Sequence, residues 1–176
     1  MITEYLEICE KYQEHFSSLL DIGCGIVDVP DYSASRLVPC DEMHNFCAHC
    51  TYGRNDELAT HLYGCHEAHR WNGLYIYYCP LGLTFIAASL SSAAGDLTGG
   101  LVLGPIVMGD MQDVLYDLPA PEMAWAVSKL SVFSTKKVRN MAEILSAVVE
   151  QISVTQVDNV VALDRERVMK EIYDVR

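Results

Sequence analysis

Apolar residues recur at three- and four-residue steps near both ends of the chain and run almost unbroken through its middle. Over residues 3–20, Leu6, Cys9, Phe16, Leu19 and Leu20 follow helical spacing, and Gly23 and Gly25 close the segment. Ile26, Val27 and Val29 predict a short strand that stops at Pro30-Asp31. Residues 30–53 are rich in Pro, Ser, Asp, Cys and His and show no period, so a long functional loop is expected there. A helix from a cap at Asn55 or Asp56 to about Trp71 follows, with His61, Cys65 and His69 on one face. Three strands come next, at residues 74–79, 83–90 and 97–107, divided by turn signals at Pro80-Leu81-Gly82 and Gly95-Asp96. Gly99, Gly100 and Gly104 in the third strand predict a bulge or a close approach of backbone to something bound. A short helix at residues 110–116 and another from Pro121 to Leu130 precede a helix capped by Ser134-Thr135. That helix carries a broad stripe of Val138, Met141, Ile144, Leu145, Val148, Val149 and Ile152. A last, strongly charged helix is expected over about residues 164–176. The order of elements defines an α+β fold, a single domain with an antiparallel sheet and flanking helices, here expected on one face of the sheet above a pocket.

Composition narrows the class. With 176 residues, 51% of them hydrophobic, the chain can bury a substantial core. No run reaches the roughly 18 uninterrupted apolar residues of a membrane span. The formal net charge of −12 is the wrong sign for gripping nucleic acid, and the sole basic cluster, Lys136-Lys137 with Arg139, reads as a solvated first turn. The N-terminus carries Glu4 and Glu7 and no basic region, which reads against a secretory signal and for the cytoplasm. Seven cysteines, an odd number, read against a disulfide framework.

The candidate chemistry is concentrated. Cys40, Cys47, Cys50, Cys65 and Cys79 are interleaved with His44, His49, His61, His66 and His69. Cys47-Ala48-His49-Cys50 is a C-x-x-C pair, half of a zinc site, and Cys65 or Cys79 would supply the rest; iron–sulfur ligation uses the same thiolates. Cys47, Cys50, Cys65 and Cys79 are therefore the candidate metal ligands, with His69 as the alternative to Cys50. The competing reading is a thiol-lined apolar pocket. His66-Glu67-Ala68-His69 is one residue short of the zinc-protease motif, and the C-x-x-C stands in the wrong order for a deaminase. A thiol enzyme rests on the co-occurrence of cysteine and histidine alone, so no enzymatic activity is expected. Phe46, Tyr75, Tyr77 and Phe85 are the candidate walls of a small-ligand cavity, since Tyr75 and Tyr77 share one strand face.

Asn45-Phe46-Cys47, Cys65, Tyr78-Cys79-Pro80-Leu81-Gly82-Leu83 and the glycine-spaced strand 99–105 together resemble the PocR family of bacterial sensory domains. Ser131-Val132-Phe133-Ser134-Thr135-Lys136-Lys137-Val138 is similar to the start of that family's closing helix. The resemblance spans about residues 5–155 and implies a PAS-like ligand-sensing fold. It assigns residues 1–155 to the sensory domain and leaves residues 156–176 as a connector helix. It also implies a small hydrocarbon derivative such as a short diol as ligand, and a separate output domain in the full-length protein. Homodimerisation through flanking helices is the fold-level expectation. The alternative is a metal or redox sensor whose receptor is the cysteine cluster itself. Cys40, Cys50 and the five histidines depart from the family pattern.

Overall fold

In a computed structural model of the protein, residues 2–30, 35–50, 57–92 and 94–153 are described. The chain begins with helix α1 (Ile2–Leu20) and strand β1 (Cys24–Asp28). Strand β2 (Arg36–Pro39) and helix α2 (Asp41–His49) follow. Helix α3 (Glu57–Arg70) leads into β3 (Leu74–Tyr78), β4 (Thr84–Ser91) and β5 (Leu97–Met108). Helix α4 (Met111–Tyr116), a 3-10 turn (Pro121–Met123), helix α5 (Ala124–Val127) and strand β6 (Val132–Phe133) complete the middle. Helix α6 occupies residues 135–153, with Ser134 Oγ accepting from the Lys137 amide as its cap.

The strands lie in the order β2-β1-β5-β4-β3, all antiparallel, and β6 joins β5 in parallel. β4 and β5 sit centrally and are buried along nearly their whole length. Their near-continuous apolar runs follow from that, because both faces of the sheet are covered. One face carries α1 and α6: Cys9, Phe16, Ile26, Ile86, Leu101, Leu103, Ile106, Met141 and Leu145 form its core. The other carries α2, α3, α4 and α5 over Val27, Tyr77, Phe85, Ala87, Val102 and Val107.

Three expectations are corrected here. The helices lie on both sides of the sheet and not on one. The loop expected over residues 30–53 contains β2 and α2: Gly25↔Pro39 through Asp28↔Arg36 pair with β1, and Met43 inserts its side chain beside Gly23 and Gly25, docking α2 on the strand. The helix expected from Pro121 to Leu130 is a 3-10 turn and one α turn. The cap expected at Asn55 or Asp56, the connector over residues 156–176 and the charged helix within it lie outside the described residues.

The expected bulge is present. Thr84 pairs with Ile106 but Ile86 with Leu103, so Phe85 faces two residues, Gly104 and Pro105. Pro105, which has no N–H to give a ladder, sits where the ladder is interrupted. The close approach at Gly100 is to the protein itself. A Cβ there would lie 2.6 Å from both the Ala88 carbonyl and Cys65 Sγ, so glycine lets α3 settle onto β5.

Candidate functional site

A pocket opens on the α3 side of the sheet, where three elements meet. α2 and its end supply Phe46, Cys47 and Cys50; the first turns of α3 supply Glu57, Thr60 and His61. The β3–β4 turn supplies Cys79, Pro80 and Leu81, and β4 supplies Phe85, opposite the bulge in β5. The cavity volume is about 40 Å³, a few times the ~10–15 Å³ that one buried water requires. A molecule of a few non-hydrogen atoms fits it.

The sequence builds this corner from local rules. In Cys79-Pro80-Leu81-Gly82-Leu83, the Gly82 amide donates to the Cys79 carbonyl at 2.8 Å and the Cys79 amide to the Leu83 carbonyl at 3.0 Å. Proline presets φ at the second turn position, and Gly82 takes φ +79°, a left-handed value. The turn brings Cys79 and Leu81 to the same pocket wall. On α3, Gly64 lets the Tyr77 ring lie against the helix, since a Cβ there would come 2.5 Å from that ring. Tyr77 stacks between Tyr75 (6.2 Å, 10°) and Phe85 (5.8 Å, 24°).

His61 is the central polar group. It is buried, its Nδ1 lies 2.7 Å from the Tyr77 hydroxyl, and its ring meets Phe85 edge to face at 4.8 Å. Burial lowers its pKa to about 4, so the ring is neutral near pH 7. Burial holds the Tyr77 phenol well above its ordinary value, reinforced by the nearby Cys65, Cys79 and Cys47. The phenol therefore keeps its proton; in the tautomer in which it donates to Nδ1, the His61 proton stands on Nε2.

The thiols are neutral as well. Burial pushes the Cys47 thiol up, and so do Glu57, Cys79 and Cys50; its side chain also hydrogen-bonds Glu57. Cys79 is raised by burial, against the backbone amides of Leu83 and Leu81, which pull the other way. The thiolate is the metal ligand and the nucleophile, and this environment favours the thiol.

The candidate residues are thus sorted. Phe46, Cys47, Cys50, Cys79 and Phe85 line the pocket together. Tyr77 reaches it through His61. Tyr75 does not line it: the ring is half-buried on the outer side of Tyr77, with Tyr63 edge-on at 6.3 Å. Cys65 does not line it either. It is fully buried against Gly100, its pKa raised to about 12 by burial. The expected tetrad of Cys47, Cys50, Cys65 and Cys79 is therefore split, because the helix phase that points Cys65 at the sheet keeps it out of the pocket. Among the described residues no group of three or more His, Cys, Asp or Glu side chains is placed to hold a metal ion. His69, the alternative ligand, pairs instead with Ser91 Oγ at 3.1 Å. Glu57 and Thr60 were not signalled by the sequence. Only their position one helical turn and one residue before His61 places them at the same opening.

The architecture is a central antiparallel sheet with helices on both sides and a small pocket at one end. The PocR model, described as a sensory domain found in PocR, matches residues 5–157, and the chain belongs to that family. Among solved structures, the C-terminal domain of the E. coli transcriptional regulator KdgR is similar, with a TM-score of 0.50 and 13% identity over 86% of this chain and 98% of that one. Pseudomonas aeruginosa HmgR gives a weaker likeness, with a TM-score of 0.35 and 16% identity over 81% of this chain and 67% of that one. No curated protein matches the chain. Among the described residues no helix is long and apolar enough to cross a membrane.

Proposed function

We propose that this chain is the ligand-binding part of a bacterial signalling or transcription regulator, and that its ligand is a small uncharged hydrocarbon derivative bearing hydroxyl groups, such as a short diol. The observation that carries this reading is the pocket's pairing of polar groups. His61, whose Nδ1 is engaged by the Tyr77 hydroxyl, offers Nε2 as a donor when its proton stands there, and Glu57 offers acceptor oxygens, both set among Phe46, Leu81 and Phe85. A hydroxylated molecule of a few heavy atoms satisfies both and lays its carbon chain on the aromatic wall. The pocket thiols line the cavity as small apolar groups. Held as thiols, they support binding and not turnover. None of the seven cysteines is in a disulfide, in keeping with a reducing cytoplasmic setting. Binding shifts an equilibrium between two states, and α6 with the chain beyond it is the route to an attached output domain.

A thermal-shift screen of short diols, alcohols and aldehydes, run with and without a chelator, tests the reading. A true ligand at about a hundredfold excess over Kd adds roughly 2.7 kcal/mol of stability, survives chelation, is recovered unchanged, and is lost in Glu57→Gln with Phe85→Ala. Stabilisation by zinc alone, with no organic response, would replace this reading by a metal sensor built on Cys47, Cys50 and Cys79. Consumption of the compound would replace it by an enzyme.

A further inference from the structure

We infer that Cys24 and Cys40 form a modification site, a facing thiol pair that a hydroperoxide closes to a cross-strand disulfide. The pairing of β1 with β2 runs to Gly25↔Pro39, and one further step sets Cys24 opposite Cys40. The backbone continues the ladder there, since the Cys40 amide donates to the Cys24 carbonyl at 2.8 Å. The return bond is unusual. The Cys24 amide donates to Cys40 Sγ, 3.0 Å away, where a carbonyl would normally stand. Facing residues of an antiparallel pair hold their Cα atoms about 4.5–5.5 Å apart, within the roughly 4.4–6.8 Å that disulfides span. Cys24 lies inside the core of the α1 face, and Cys40, at the edge of the sheet, packs against that core and the one opposite.

The two sulfurs differ in access. Cys24 is fully buried, whereas Cys40 is half-buried and its thiol donates to Ser17 Oγ at 3.6 Å. Cys40 therefore meets the oxidant. Its sulfur attacks the hydroperoxide, the O–O bond breaks, and a sulfenic acid and an alcohol (water, for hydrogen peroxide) result. The Cys24 thiol, kept protonated by burial, then attacks the adjacent sulfenic sulfur and passes its proton to the departing hydroxyl, which leaves as water as the S–S bond forms. Two thiols lose two electrons and two protons; the hydroperoxide takes up both. The new bond ties β1 to the residue just before α2, beside the notch where Met43 docks on Gly23 and Gly25.

The test uses the full chain, reduced, freed of reductant and treated with one equivalent of hydrogen peroxide. After blocking with N-ethylmaleimide and digestion without reductant, one peptide should join Cys24 to Cys40 and dithiothreitol should release it. Closing a loop of about 15 residues should raise Tm by about 6–12 °C. Cys40→Ser keeps an acceptor for the Cys24 amide. It should retain the reduced protein's Tm and lose both the peptide and the shift, and Cys24→Ala should lose them too. Maleimide on both cysteines after oxidation overturns the inference. So does a bridge from Cys24 to Cys9, which also lies near it, or one confined to Cys47, Cys50 and Cys79.

Discussion

The two faces of the sheet are built to different standards. On the α1–α6 face the core is mainly aliphatic, with Ile86, Leu101, Leu103, Ile106 and Leu145 each fully buried, and none of its few polar and thiol groups, Gln13, Cys9 and Cys24 among them, lines the pocket. On the α3 face, at the same depth, stand a histidine, a tyrosine and several thiols around a cavity. Close packing on one side fixes the sheet. On the other side a buried imidazole and a phenol must satisfy each other, and the cavity gives up dispersion contacts that a filled core would have made. A scaffold can carry an unfilled, polar corner when the opposite face supplies the stability.

The sharpest test of that division is Leu145→Ala. Truncation of a fully buried leucine should cost about 2–5 kcal/mol, measured as a fall in the urea midpoint at unchanged m, while ligand-induced stabilisation in the pocket stays the same. An equal loss of ligand response would show that the two faces are not separable.

Next in size is an acid effect confined to the α3 face. His61 is held neutral by burial, with its folded pKa lowered to about 4 from an unfolded value of about 6.5. Between those limits the unfolded chain binds a proton that the folded chain refuses, so stability is fully present above pH 6.5 and falls as pH drops towards 4. The loss amounts to about 3 kcal/mol. Subtracting the pH profile of His61→Asn from that of the native chain should isolate this slope. A flat difference would mean that the ring is not shielded.

The smallest effect concerns the partner. Tyr77→Phe deletes the hydroxyl that meets His61 Nδ1 and should cost about 1–3 kcal/mol, since a buried acceptor is left unpaired. It should also weaken ligand binding by freeing the imidazole to change tautomer. Equal affinity in variant and native protein would place the His61 proton outside ligand recognition.

Much of this arrangement was legible in the chain. The β3–β5 strands, α1, α3 and α6 announced themselves by period and by the turns at Pro80-Gly82 and Gly95-Asp96, because each is long enough for its pattern to show. β2 did not: Arg36-Leu37-Val38-Pro39 is four residues long, partly exposed, and ends in proline. α2 hid for a similar reason, its nine residues mixing charge, histidine and cysteine without a clear stripe. The coverage of both faces was present in the unbroken apolar runs of β4 and β5. Alternation would have meant one solvated face. Of the residues named from the sequence, Phe46, Cys47, Cys50, Cys79 and Phe85 line one pocket, and Phe46, Cys47, Cys50 and Cys79 stand in distinctive local strings. Cys65 and Tyr75 were misplaced because strand and helix phase, not proximity in sequence, decide which way a side chain points. Glu57 joins the pocket one helical turn before His61, where it meets Cys47 of α2, a tertiary contact with no local signal.

The alternation of side chains along β4 has a further consequence. Phe85 forms a pocket wall, and Ile86, the next residue, belongs to the core under α6. The two environments are separated by one peptide unit. Any ligand that presses on Phe85 acts on a strand whose neighbouring side chain is already wedged among Met141, Leu145 and their companions. Interiors packed to crystal-like density cannot absorb such a push by compression. The pocket wall and the α6-side core are thus separated by the thickness of a single β-sheet.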